Sequence, residues 1–132
     1  MLRIFLPDSP YKKRARFVAI LWTLLILIAC LTPAEDIPKV DIPLVDKWTH
    51  FVFFGVFSFL WLCVKPVRTV GWLIALFILS TAYGAFIELM QGWLTFLGRS
   101  MEFMDAVADS VGAALGIGLF CAAALVAQRK AN

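Results

Sequence analysis

Uncharged apolar stretches alternate with short polar segments along the chain. Residues 17–31, 48–64, 70–87 and 110–127 contain no Asp, Glu, Lys or Arg. Each stretch has, or approaches, the roughly 20 residues that a helix needs to cross a bilayer. The pattern predicts an all-α membrane protein, a single domain over 1–132 with four transmembrane helices at positions 17–34, 46–64, 69–90 and 106–127.

The basic residues are distributed unevenly between the two ends of these predicted spans. Nine lie at the end that carries both termini and three at the other, where they are Lys39, Lys47 and Arg99. Because short cytoplasmic loops of membrane proteins are enriched in Lys and Arg, this asymmetry predicts that both termini are cytoplasmic. The loops after the first and third spans would then face outward.

Composition agrees with a membrane location. The chain is 62% hydrophobic and 16% charged, with a mean hydropathy of +0.89, which is far more apolar than a soluble domain of 132 residues. Cys30, Cys63 and Cys121 all lie in apolar stretches, and no Cys/His spacing indicates a metal centre. We therefore expect no disulfide framework, no metal and no cofactor. The net charge of +3 suits membrane insertion and does not indicate a nucleic-acid partner.

The two outward loops differ in character. Three prolines between positions 33 and 43 make regular helix improbable there, and an extended cover is expected. The segment 92–98 is uncharged, aromatic and bounded by glycines. This composition favours a segment that lies in the membrane interface.

The start of the second span places an acid, a base and an imidazole together. Asp46 and His50 are one helical turn apart and share a face, and Lys47 lies beside Asp46. Such a group can bind a ligand or transfer a proton. A structural alternative is that Asp46 caps the helix, Lys47 extends its ammonium to the interface and His50 makes a buried hydrogen bond.

The end of the third span also carries polar groups on one face. Glu88 and Gln91 are three residues apart, and Tyr83 and Gly84 occupy the turns below them. An acid that faced lipid would be costly, so Glu88 is expected to face the bundle and a partner. A structural ion pair would explain Glu88 alone as well as a functional role would.

The fourth span begins with two carboxylates above two glycines. Asp105 and Asp109 are four residues apart, and Gly112 and Gly116 continue the same stripe. The glycines predict a close approach of another helix, which would direct both carboxylates into the bundle. Plain helix packing is the alternative explanation for the glycines.

Clustered acids at a low-dielectric boundary need a cation or a shared proton. Arg99 and Lys47 are the cations that we expect to neutralise the carboxylates, in preference to a divalent ion. The candidate binding site comprises Asp46, Lys47, His50, Glu88, Gln91, Arg99, Asp105 and Asp109.

The ordered set of polar positions resembles a known family. The residues that carry the resemblance are Asp46-Lys47-x-x-His50, Glu88-x-x-Gln91, Arg99 and Asp105-x-x-x-Asp109-x-x-Gly112. They look like the VanZ-like family of small bacterial integral membrane proteins, whose founding member is associated with teicoplanin resistance. The similarity extends from about Asp46 to Gly116. It implies a multi-pass protein of the bacterial cytoplasmic membrane with a role in the cell envelope, and it implies no settled biochemical activity.

Three functions fit the polar positions. The first is binding of an envelope-targeting glycopeptide or of the headgroup of a lipid-linked cell-wall precursor, with Arg99, Lys47 and His50 holding phosphate or carboxylate. Membrane lipids, and such a precursor among them, would then be the partners. Acidic side chains would accept hydrogen bonds from sugar hydroxyls or amides.

The second function is an enzyme that acts on a lipid phosphate. His50 is the candidate catalytic residue, Asp46 or Glu88 would orient it, and Asp105 with Asp109 could hold a divalent ion. The third is a structural scaffold or partner subunit, in which the polar residues fasten the four helices together.

Overall fold

The computed structural model describes residues 2–37 and 42–131, and the regular secondary structure of these residues is entirely helical. The four α-helices are α1 (Lys12–Cys30), α2 (Val45–Val64), α3 (Val70–Trp93) and α4 (Phe103–Ala131). Short 3₁₀ turns cover Leu2–Phe5, Ala34–Asp36 and Thr95–Leu97. The prediction of an all-α chain is confirmed.

Three of the helices are long and apolar enough to cross a membrane: Val45–Val64, Val70–Trp93 and Phe103–Lys130. Helix α1 has 19 residues, but its first turns contain four basic side chains, so its apolar part is shorter. The chain is therefore a membrane protein with three helices that could span the bilayer, and the fourth span stays a prediction. Lys39, one of the three basic residues counted at the outward end of the predicted spans, lies outside the described residues.

The helix ends differ from the predicted bounds for local reasons. Helix α1 ends at Cys30 instead of position 34, because Pro33 disfavours the helical conformation in Thr32. The described part of the following loop contains no α-helix, as the prolines predict, but it forms a 3₁₀ turn at Ala34–Asp36 where an extended segment was expected. Helix α3 continues to Trp93, and the next turn ends at Gly98, whose φ of 63° is favourable for glycine.

Helices α2 and α4 make the most extensive contact in the bundle, along a seam of glycines. A Cβ atom on Gly112 would overlap the backbone carbonyl of Phe51, and one on Gly116 would overlap the carbonyl of Gly55. Only a residue without a side chain allows these backbones to come so close. The predicted close approach at Gly112 and Gly116 is confirmed.

The antiparallel course of the helices gathers the carboxyl ends of α1 and α3 and the amino ends of α2 and α4, which we call the polar end of the bundle. Two contacts mark it: the Gln91 amide bonds to the Cys30 carbonyl, and Lys47 pairs with Asp105. Below it the core is mostly apolar, with Phe54 among its fully buried side chains and one buried hydrogen-bonded pair, Ser58 with Ser80. The fold therefore concentrates ionisable groups in one layer.

Candidate functional site

The centre of the polar end is His50, buried between two carboxylates. Its Nδ1 atom lies 2.9 Å from Oδ1 of Asp109 and 3.8 Å from Oε1 of Glu88. The three side chains come from α2, α4 and α3, and their exposed fractions are 2%, 0% and 4%. Three helices thus converge on one imidazole.

Gly84 makes this convergence possible. It lies one helical turn before Glu88 on α3, and a Cβ atom at this position would overlap the carboxylate of Asp109. The absent side chain leaves the space that the Asp109 carboxylate occupies. Glycine is therefore required here for a close approach to a polar group.

A second group of charges lies beside the first. Nζ of Lys47 is 2.7 Å from Oε2 of Glu102 and 3.0 Å from Oδ1 of Asp105, whose side chain is 3% exposed. The backbone N–H of Glu102 donates to Oε2 of Glu88 at 2.8 Å, which joins this group to the His50 group. The expectation that Lys47 neutralises a buried carboxylate is confirmed for Asp105.

Glu102 is a member of the cluster that we did not expect from the sequence. It immediately precedes α4, and its carbonyl accepts a hydrogen bond from the N–H of Asp105 at 3.0 Å. Its position three residues before Asp105 is the signal that could have identified it, since residues so spaced share a helix face.

Arg99 occupies a different place from the one expected. Its Nη1 atom lies 3.6 Å from Oδ1 of Asp46, and its Nε–H donates to the carbonyl of Thr32 at 3.4 Å. The expectation that Arg99 neutralises Asp105 and Asp109 is therefore wrong. The turn after α3 places the guanidinium beside the carboxyl end of α1. Helical spacing could not predict this position, because Arg99 lies outside the helices.

Asp46 and Gln91 contribute in separate ways. Helix α2 begins at Val45 after Leu44, and no side chain caps it, so Asp46 lies in the first turn and pairs with Arg99 instead of capping. Nε2 of Gln91 donates to the carbonyl of Cys30 at 2.7 Å, satisfying one of the end carbonyls of α1. Gln91 thereby ties α1 to α3.

A cavity of about 480 Å³ adjoins this cluster between α1, α2 and the loops of the polar end. Its size lies within the range of small-molecule sites, roughly 300 to 1,000 Å³. The polar side chains that line it are Thr32, Asp36, Asp46, Thr49, His50 and Arg99. Its other walls are mostly apolar and include Ile37 and Phe53.

The described part of the polar end is rich in acids. Among the paired groups, five carboxylates face two permanent cations and one imidazole: Asp46, Glu88, Glu102, Asp105 and Asp109 against Lys47, Arg99 and His50. Two trios bring potential metal-ligand atoms within 4.8 Å of one another, His50 with Glu88 and Asp109, and His50 with Asp46 and Asp105. The arrangement can hold a cation, share a proton or orient an imidazole.

These features define the chain as an all-helical membrane protein with a buried ionisable cluster at one end of its bundle. The family model described as VanZ/LLP1 matches residues 9–126, and the chain belongs to this family. The resemblance drawn from the polar positions is thereby confirmed, and the family name carries an association with antibiotic resistance. Comparison with curated proteins and with solved structures gives no match.

Proposed function

We propose that the chain is a four-span protein of the bacterial cytoplasmic membrane, with cytoplasmic termini and with the polar end facing outward. The distribution of basic residues supports this orientation, because Lys65 and Arg68 connect α2 to α3 at the opposite end and the amino-terminal basic residues precede α1. The cluster and its cavity then lie at the outer leaflet.

The function that the geometry supports best is binding of a lipid-linked envelope precursor by its polar headgroup. The observation that carries this proposal is the cavity lined by Arg99 beside the ionisable cluster. Lys47 already pairs with two carboxylates, whereas Arg99 has one ion pair at 3.6 Å and one long hydrogen bond. A guanidinium has five N–H donors, so Arg99 retains donors for a phosphate or carboxylate.

The remaining walls of the cavity suit such a ligand. Asp46 and Thr49 offer groups for hydroxyls or amides, and Ile37 and Phe53 offer apolar surface for the first part of a lipid chain. Because the cavity also contains acids, a headgroup that bears hydroxyl or amide donors besides its anion fits better than a simple anion.

A binding titration tests this proposal. The purified full-length chain in detergent is titrated with a polyprenyl diphosphate carrying a sugar, and with phosphatidylcholine as the control lipid. We expect Arg99→Gln to weaken binding of the polyprenyl ligand at least tenfold, and Arg99→Lys to weaken it less, because an ammonium grips a planar anion without the paired hydrogen bonds of a guanidinium.

Arg129→Gln is the matched control, since Arg129 is exposed near the carboxyl end of α4, at the opposite end of the bundle. It should bind as the unmodified chain does. Equal affinity of the Arg99→Gln and unmodified chains for the polyprenyl ligand would reject the proposal.

One observation favours an enzyme as the second candidate. The hydrogen bond of 2.9 Å between His50 and Asp109 fixes the orientation of an imidazole that also lines the cavity. A carboxylate that holds a histidine in this way prepares it for general acid–base chemistry. The substrate would be the phosphate group of a lipid in the cavity.

Asp109→Asn separates the two candidates. An enzyme would lose turnover of a lipid phosphate while keeping its affinity for that lipid, whereas a binding protein has no turnover to lose. If the variant lost neither turnover nor affinity and only unfolded more readily, the third possibility, a structural scaffold, would be favoured.

A further inference from the structure

We infer that His50, Glu88 and Asp109 form a binding site for one divalent transition-metal ion, with Zn²⁺ as the best match. One side chain comes from each of α2, α3 and α4, so the ion would join the three helices at the polar end. This inference concerns the cluster itself and does not depend on whether the adjoining cavity binds a lipid headgroup.

The spacing of the three side chains fits a zinc ion. With metal–ligand distances of about 2.1 Å, tetrahedral geometry separates neighbouring ligand atoms by about 3.4 Å. The distances from Nδ1 of His50 to the Asp109 and Glu88 oxygens are 2.9 Å and 3.8 Å, on either side of this value. One ligand atom from each of the three residues lies within 4.8 Å of the other two. An ion between them would replace the proton of the His50–Asp109 hydrogen bond, because a coordinating ring nitrogen is unprotonated.

An unpartnered oxygen of Glu88 provides an independent reason to expect a ligand. Within the described residues, Oε1 of Glu88 and Oδ2 of Asp109 are buried without a hydrogen-bond partner, but Oδ2 of Asp109 lies against Gly84 and only Oε1 of Glu88 faces His50. Such atoms are rare, because a buried carboxylate oxygen without a partner loses its hydration and gains nothing in return. Oε1 of Glu88 faces His50, so an ion between the two side chains would give this oxygen the partner that it lacks.

The charge balance supports a cation at the same place. The two permanent cations of the cluster are engaged elsewhere, Lys47 with Asp105 and Glu102, and Arg99 with Asp46. The His50 trio therefore has two buried carboxylates and one imidazole to balance them. A divalent ion would compensate both negative charges.

The surroundings of the trio resemble the outer shell of a metal site. The N–H of Glu102 holds Oε2 of Glu88 at 2.8 Å, which leaves Oε1 directed at His50. Hydrogen bonds of this kind orient ligating carboxylates. Of the three ligands only His50 lines the cavity, so a water or substrate oxygen in the fourth position would approach the ion past His50.

The donor set selects the class of metal. An imidazole with two carboxylates suits Zn²⁺ and its neighbours among the divalent transition metals. Ca²⁺ takes six to eight oxygen ligands and Mg²⁺ prefers octahedral oxygen with several waters, and three ligands including a nitrogen serve neither well. A proton shared between Glu88 and Asp109 is the competing explanation for the unpartnered oxygens.

Metal binding by the purified full-length chain tests the inference. The protein in lipid-free detergent is treated with a chelator, dialysed against Zn²⁺ and analysed for bound metal. We expect one ion per chain, and we expect Glu88→Gln, which keeps the shape of the side chain, to weaken binding at least tenfold. Glu35→Gln is the matched control, since Glu35 is exposed in the loop after α1 and should leave binding unchanged.

A spectroscopic measurement keeps the test decisive if one variant folds poorly. Co²⁺ replacing Zn²⁺ should give the intense visible absorption of a four-coordinate ion in the unmodified chain, and Asp109→Asn should abolish it. No Zn²⁺ retained above the detergent blank, or equal affinity in Glu88→Gln, would overturn the inference and leave the shared proton as the explanation.

Discussion

At the scale of single residues, the polar end is a set of ion pairs in which each cation has its own carboxylates. Lys47 forms ion pairs with Asp105 and Glu102, and Arg99 forms one with Asp46. The pairs differ in burial, since Asp105 is 3% exposed and Asp46 is 47% exposed. The energetic consequence of losing a cation should therefore be largest at Asp105.

Lys47→Met should destabilise the fold by about 1 to 3 kcal/mol, because it leaves Asp105 buried without its cation. Unfolding in mixed detergent micelles measures the change. Asp105→Asn added to Lys47→Met should recover part of the loss, since the uncompensated charge is then gone. Lys13→Met, at an exposed position of α1, should have little effect.

The sequence predicted which residues meet at the polar end better than it predicted their pairing. Helical spacing placed Asp46 and His50 on one face, and Asp105 and Asp109 on another, because the period of a helix is fixed. The partner of Arg99 depends on how the loop between α3 and α4 folds, and no periodicity governs a loop. Glu102 was missed because it lies in the predicted loop before the span 106–127, although its spacing from Asp105 indicates a shared helix face.

At the scale of elements, the α2–α4 seam determines where the ionisable groups lie. Gly112 and Gly116 bring α4 against Phe51 and Gly55 on α2. His50 directly precedes Phe51 and Asp109 lies within one turn of Gly112, so the contact between Phe51 and Gly112 sets the 2.9 Å separation of His50 and Asp109. A substitution that moves α2 away from α4 should therefore also change the distance between His50 and Asp109.

Gly116→Ala should cost about 1 to 3 kcal/mol, because its Cβ atom meets a backbone carbonyl that cannot rotate away. Gly118→Ala is the control on the same helix, since a Cβ atom there meets nothing within 4 Å. Detergent unfolding of the two variants checks this. Equal stability of Gly116→Ala and Gly118→Ala would contradict the close approach of α2 and α4.

The helices themselves were predictable because uncharged apolar runs of this length have few other stable forms in a membrane. Their ends were less predictable. Helix α1 stops four residues before the predicted end of its span, and α3 extends three residues past its own. Hydropathy does not mark these ends, since Leu31 and Trp93 are both apolar and only the local backbone decides between helix and turn.

At the scale of the whole molecule, the orientation in the membrane determines which compartment the cavity faces. The proposal of cytoplasmic termini makes the loop between α3 and α4 external. Thr95 lies in that loop and is exposed, and Lys130 lies in the last turn of α4. Under this proposal the two positions lie on opposite sides of the membrane.

Cysteine labelling tests this orientation after Cys30, Cys63 and Cys121, which are free thiols, have been replaced. With an impermeant thiol reagent added to whole cells, Thr95→Cys should react and Lys130→Cys should react only after permeabilisation. The reverse pattern would place the cavity on the cytoplasmic side and would remove the reason to propose an external lipid-linked ligand.

Native mass spectrometry of the chain purified from its membrane tests most directly the central claim, that Arg99 and its cavity bind a lipid-linked headgroup. The account predicts a co-purified lipid whose mass includes a phosphate, bound to the unmodified and Arg129→Gln chains and depleted at least tenfold in Arg99→Gln. A chain that carries no such lipid, or an Arg99→Gln chain that carries it equally, would contradict the account.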